Sequence, residues 1–175
     1  MLTLWGCSAK NEALEEGMAF RRELLSGTEC RFSAEITADY GDRLHSFSMD
    51  CQVDSGGNLR FCVTEPQSLA GITGEVSDGG GKLTFEDTAL HFDLLADGQF
   101  SPVSAPWIFM KTLRGGYITA AWEEDSFLRL SVDDSYQENA LHLDIWMEEE
   151  EPVRAEILYD SRRILTIVVK EFDME

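Results

Sequence analysis

Apolar residues recur at every second position through most of the chain. Phe32, Ala34, Ile36 and Ala38 alternate with polar neighbours, then Phe47, Met49, Cys51 and Val53, then Leu59, Phe61 and Val63. Period two gives each strand one greasy face. Tyr40-Gly41-Asp42 and Asp54-Ser55-Gly56-Gly57-Asn58 separate the runs with residues that accept the positive φ of tight hairpins. An antiparallel meander therefore spans Cys30 to Thr64. Ahead of it, Ala13, Leu14, Gly17, Met18, Phe20, Leu24 and Leu25 recur at helical spacing, which predicts an amphipathic helix from Asn11 as cap to Gly27, with Arg21, Arg22 and Glu23 turned outward.

Short strands continue through Gly71–Val76, Leu83–Phe85 and Leu90–Leu94. The stretch from Ala96 to Gly116 then breaks the alternation. Pro106 suits a first helical turn and Gly115-Gly116 a stop, and Trp107, Ile108, Phe109, Met110 and Leu113 cover more than one side of the helix between. A short helix this apolar has to be buried or lie against something greasy. Strands resume at Ile118, Ala120 and Trp122, at Leu128, Leu130 and Val132, at Leu141, Leu143 and Ile145, at Val153, Ala155, Ile157 and Tyr159, and at Leu165, Ile167 and Val169. The expected fold class is α+β: a strongly curved antiparallel sheet of about ten strands, a half-open barrel, with an N-terminal helix and a short helical lid in its concave face.

At 175 residues the chain is long enough to bury roughly 70% of its unfolded surface in one domain without disulfides or metals. Its 14 basic and 33 acidic residues leave a formal charge of −19, a field that repels phosphate backbones and sets nucleic acid aside as a partner. The same field opposes flat adsorption on an anionic bilayer, so membrane attachment is expected only through an N-terminal lipid. The opening Leu4-Trp5-Gly6-Cys7 resembles the bacterial lipobox, which implies that Cys7 is the site of lipid attachment. Residues 1–7 then read as the remnant of a signal peptide and 8–175 as a single domain, exported and anchored to the outer side of the cytoplasmic membrane, or to the periplasmic side where an outer membrane exists.

Catalytic chemistry finds no footing in the sequence. His45, His91 and His142 fall on three separate strands, no metal-ligand spacing connects them, and no nucleophile elbow, CxxC or HExxH occurs. Neither a cofactor nor a metal is expected. The acid pairs Glu123-Glu124 and Asp133-Asp134, and the run Glu148 to Glu151, read as solvated turn charge. Strand parity puts Cys30 and Cys51 on the greasy face and Cys62 on the other. A hairpin pivoting near Gly41 would set Cys30 opposite Cys51, a possible disulfide in an oxidising compartment; otherwise the three stay free thiols.

Gly57-Asn58-Leu59-Arg60-Phe61 leading to Glu65-Pro66, then Lys82-Leu83-Thr84-Phe85, and the ending from Leu141 through Pro152 and Ala155-Glu156-Ile157 to Val168-Val169-Lys170-Glu171-Phe172 resemble the LolA/LolB lipoprotein-carrier superfamily. With a lipidated N-terminus the chain also resembles the lipid-anchored, GerS-like members of Gram-positive spore formers. The resemblance implies a binding protein and no enzyme, with lipoprotein acyl chains or another apolar ligand held in the concave face. Its lining would be Phe20 and Leu24 of the first helix, Phe32, Ile36, Phe47, Met49 and Phe61 of the meander, and Trp107, Met110 and Leu113 of the lid. The plain alternative is that these same side chains close a solid core. The GerS-like members imply a different role, a cell-envelope scaffold for an exported protein partner such as a cell-wall enzyme, in which outward aromatics such as Phe127 and Trp146 would anchor the interface.

Overall fold

A computed structural model of the chain describes residues 6–96, 99–137 and 140–175. Helix α1 (Gly6–Ser26) leads into six antiparallel strands, β1 (Glu29–Asp39), β2 (Leu44–Asp54), β3 (Leu59–Glu65), β4 (Thr73–Ser77), β5 (Gly80–Phe85) and β6 (Thr88–Phe92). A small ribbon, β7 (Leu95–Ala96) with β8 (Gln99–Phe100), and a 3-10 turn (Pro102–Ser104) precede α2 (Ala105–Gly115). The chain returns through β9 (Tyr117–Glu124), β10 (Phe127–Asp133), β11 (His142–Glu148), β12 (Glu151–Tyr159) and β13 (Arg162–Met174). Eleven of these strands form one curved, open sheet in the order β6-β5-β4-β3-β2-β1-β13-β12-β11-β10-β9. The expected α+β architecture is what the chain adopts. The two halves of the sequence meet at the centre of the sheet, where β1 pairs with β13.

Curvature follows from extra residues on single strands. Register shifts interrupt β1–β13, β2–β3, β9–β10, β11–β12 and β12–β13, and each such bulge bends its strand and increases the local twist. Two of them overturn the simple alternation expected above. Thr119 is the surplus residue between the Ala120–Ser131 and Ile118–Val132 pairs, so Ala121 faces the core opposite Leu130 while Trp122 lies opposite Arg129 on the outer face. Val153 is surplus between Arg154–Trp146 and Pro152–Met147, so it leaves the inward row that Ala155 and Ile157 keep.

The first helix begins five residues earlier than its expected cap at Asn11. Its buried stripe is also narrower than the sequence pattern: Ala13, Gly17, Phe20 and Leu24 face inward, whereas Leu14, Met18 and Leu25 are exposed. Gly17 permits the close approach, since a Cβ there would lie 2.6 Å from a methyl of Leu130. Arg21 is drawn in, against expectation. Its Nη1 donates to the Gly116 carbonyl at 2.8 Å, and burial lowers its pKa. Among the described residues no helix is long and apolar enough to cross a membrane.

Candidate functional site

Helix α2 is where the sequence predicts it and is buried on nearly all sides: Ala105 to Met110, Thr112 and Leu113 are all inaccessible. Pro106 sits in its first turn, and the buried Ser104 hydroxyl donates to the Ser101 carbonyl at 2.6 Å, which secures the entry. At the far end Arg114 donates to Ser55 O at 2.6 Å and Asp54 O at 3.3 Å, tying the helix to the β2–β3 turn. Lys111, exposed like the terminal Gly115, pairs with Asp78 and lies over the Trp107 ring at 4.6 Å.

The ten residues expected to line the concave face, Phe20, Leu24, Phe32, Ile36, Phe47, Met49, Phe61, Trp107, Met110 and Leu113, come together in one contiguous cluster, each 9% exposed or less. Two aromatics absent from that expectation tie it together. Phe109 meets Phe32 edge-on at 6.0 Å, and Phe172 stacks on Phe32 at 5.9 Å and touches Phe20 at 6.0 Å. Phe172 escaped the pattern because Glu171, at φ 53°, inserts a bulge opposite Phe32 and shifts the phase of β13.

Beside this cluster the concave face opens into a cleft of about 310 Å³ lined by Asp39, Tyr40, Phe100, Tyr159, Asp160, Arg162, Ile164 and Leu165. Tyr40 continues the inward row of Ala38, and Tyr159 that of Ile157. Phe100 meets Tyr159 edge-on at 5.5 Å, and the Tyr40 hydroxyl donates to Phe100 O at 3.3 Å. Burial raises the Tyr40 pKa, so the phenol stays neutral and donating. Leu165, 2% exposed, forms the floor and belongs to the core cluster. Arg162 and Asp39 hold the rim at 4.0 Å. The sequence pattern missed this cleft because Tyr40 read as a turn residue and Phe100 as part of an interruption. Three aromatics at the ends of three elements were the available signal. A wider groove of about 680 Å³ on the outer face is lined by Arg31, Asp50, Gln52, Arg60, Glu75 and Lys82 among others. Within it Arg60 pairs with Glu75, and Arg31 pairs with Glu29 beside it.

Turn acids that read as solvated are partly recruited instead. On the outer face Arg129 sits between Glu124 (3.1 Å) and Asp144 (2.8 Å), with its guanidinium 4.8 Å from the Trp122 ring and 4.5 Å from the Trp146 ring. Trp146 Nε1 donates to Glu124 at 2.8 Å, the Ser131 hydroxyl donates to Asp144 at 2.5 Å, and His142 bridges Asp133 (2.6 Å) and Asp144 (3.3 Å). His142 is thus held between two carboxylates by its two ring nitrogens. Burial pushes the Asp144 pKa up, but the Ser131 hydroxyl and the Arg129 guanidinium outweigh it and leave the carboxyl below its ordinary value. No group of acid, histidine or cysteine side chains among the described residues is arranged to hold a metal.

The expected opposition of Cys30 and Cys51 is corrected by the β1–β2 register. Cys30 lies opposite Val53 and Cys51 opposite Phe32, so the two are diagonal neighbours on one face. Diagonal Cβ atoms stand well beyond the roughly 4 Å that a bridge requires, and Cys30, Cys51 and Cys62 are free thiols. Burial raises the Cys30 pKa to about 12 and that of Cys51 well above its ordinary value, which leaves both thiols inert. The Cys7 side chain lies outside the described residues.

No family model matches the chain, and no curated protein matches it. Solved structures with a similar chain path include a LolA superfamily protein from Nitrosomonas europaea (9% identity, TM-score 0.49, 97% of this chain and 94% of that one). A second is a putative outer membrane lipoprotein-sorting protein domain from Vibrio parahaemolyticus (6% identity, TM-score 0.49, 94% and 91%). A third is a DUF1329 family protein from Desulfovibrio piger (7% identity, TM-score 0.49, 95% and 93%). The likeness is one of general outline, and no activity is inferred from it.

Proposed function

We propose that this chain is a non-enzymatic, exported lipoprotein that binds an acyl chain or other apolar moiety on the concave side of its sheet. The observation that carries this reading is the aromatic cleft at Tyr40, Phe100 and Tyr159, which is floored by the core residue Leu165. Its volume stands at the small end of ligand sites, where apolar walls and a few polar groups are the usual composition. It fits the end of an acyl chain. A longer ligand would have to continue along the ten expected lining residues, and so would require α2 to shift from Phe32 and from strand β2. Arg162 stands on the rim with Asp39 and Asp160, so the mouth is mixed in charge and offers partners to a polar head of either sign. On this proposal Cys7 carries the lipid anchor, residues 8–175 form the binding domain, and the protein resides in the cell envelope as a GerS-like relative of the lipoprotein carriers.

The test is native mass spectrometry of protein purified from a membrane-containing host, followed by titration with a fluorescent fatty acid. The proposal expects a saturable signal that Ile164→Asp, at a half-buried cleft position, weakens by about tenfold. Absence of both co-purified lipid and probe binding in the wild type would overturn it. For the anchor, labelled palmitate should enter the full-length envelope form and be lost in Cys7→Ser; equal labelling of both refutes the anchor.

A further inference from the structure

The sheet has two edges, and they are finished differently. Strand β9 is bulged at Thr119 and has α1 packed along it, with Arg21 bonded to Gly116 just before the strand. Strand β6 has neither device. It pairs only with β5, in unbroken register, and its sequence Thr88-Ala89-Leu90-His91-Phe92 contains no proline, lysine or bulge to blunt its unpaired backbone groups. The inward row of the sheet runs out to it: Phe61 opposes Gly74, Gly74 opposes Leu83, and Leu83 opposes Leu90. Leu90 is nevertheless 61% exposed and Phe85 49%. An unpaired strand edge and the exposed apolar side chains of Leu90 and Phe85 therefore coincide, with Phe92 of the same row half-buried.

We propose that β6 takes up, by strand addition, an extended segment of another protein that carries a basic residue at each end of an alternating apolar centre. Charge selects this occupant. Exposed Asp87 and Asp93 flank β6 at its two ends. A second copy pairing antiparallel about Leu90 would set Asp87 opposite Asp93 at both ends, and would bring together two chains of −19 each. Like charges directly opposite are destabilising, so self-pairing is disfavoured. A foreign strand with Lys or Arg opposite each aspartate relieves both costs. Its three residues opposite Phe92, Leu90 and Thr88 share the face of Leu90, which specifies the order basic, apolar, any, apolar, any, apolar, basic. This site is separate from the aromatic cleft and stands without it.

The test uses the peptide Lys-Val-Thr-Ile-Thr-Val-Lys, its counterpart with both lysines replaced by glutamate, and one with proline at the centre, read by amide chemical shifts and hydrogen exchange on the whole chain. The lysine peptide is expected to bind and to protect β6 amides. Glutamate ends are expected to weaken binding by about tenfold or more, and the central proline to abolish it. In the double variant Asp87→Lys, Asp93→Lys the preference inverts in favour of the glutamate peptide, and because both positions are exposed the variant's exchange pattern elsewhere stays that of the wild type. Four results overturn the proposal: no binding of the lysine peptide at millimolar concentration, protection away from β6, indifference to the charge swap, or a concentration-dependent dimer of the chain joined through β6.

Discussion

Strands β1 and β6 both send apolar residues to the inward face, yet β1 is buried on its inward row at every position from Cys30 to Ala38, while β6 keeps only Phe92 half-buried. What separates them is cover. The principal sheet contacts of α2 are with β2, β10, β12 and β13, and α1 lies over β9 and β10. Burial fades from Leu59 and Val76, through half-buried Leu83, to exposed Leu90. Strand pattern determines which residues share a face. The position of a helix made from elsewhere in the chain determines whether that face becomes core.

The most forceful way to break this comparison is to cut a side chain from each region. Phe109→Ala, at the fully buried centre of α2, is expected to cost about 3–5 kcal/mol in denaturant unfolding, because it leaves a cavity beside Phe32. Leu90→Ala, with its side chain already in water, is expected to stay within about 0.5 kcal/mol. Equal costs would mean that β6 is covered in solution.

A middle-sized effect is expected on the outer face. Asp144→Asn removes the charge that Arg129 and His142 share and should destabilise the chain by roughly 1–3 kcal/mol at neutral pH. The folded-state pKa of Asp144 is lowered, so its ionised form stabilises the fold above the unfolded value of about 4 and that contribution is lost as the pH falls through the folded value. The gap between wild type and Asp144→Asn should therefore narrow under acid. A gap that is constant with pH would assign the effect to packing instead.

The smallest effect belongs to the turns. Glu149 and Glu150 join β11 to β12 with φ of 49° and 68°, a two-residue turn that prefers Gly at its second position. Glu150→Gly is expected to relieve about 1 kcal/mol of strain and raise the melting temperature by about 2–4 °C. A lower melting temperature would show that the carboxylate makes a compensating contact.

Much of this arrangement is legible in the residues. The period-two runs mark the strands, Pro106 and Gly115-Gly116 bound α2, and the surplus of apolar residues on that helix announces its burial. Less legible was whatever depends on a single inserted residue. Thr119, Val153 and Glu171 each shift a strand by one position, which turns Trp122 and Val153 outward and brings Phe172 into the core. Alternation cannot show where a bulge falls, because the surplus residue is recognised only against its partner strand. The ten expected lining residues fall in one buried cluster. The cleft beside them was not foreseen, since Tyr40, Phe100 and Tyr159 come from three separate parts of the chain and meet only once the sheet has curved.

The most direct test of the binding proposal is a crystal structure of the protein grown with a fatty acid tagged by bromine at its methyl end. The account predicts an anomalous peak between Tyr40, Phe100 and Tyr159, above Leu165. A protein that takes up no such acid, or one that holds the bromine elsewhere and leaves that cleft empty, would contradict it.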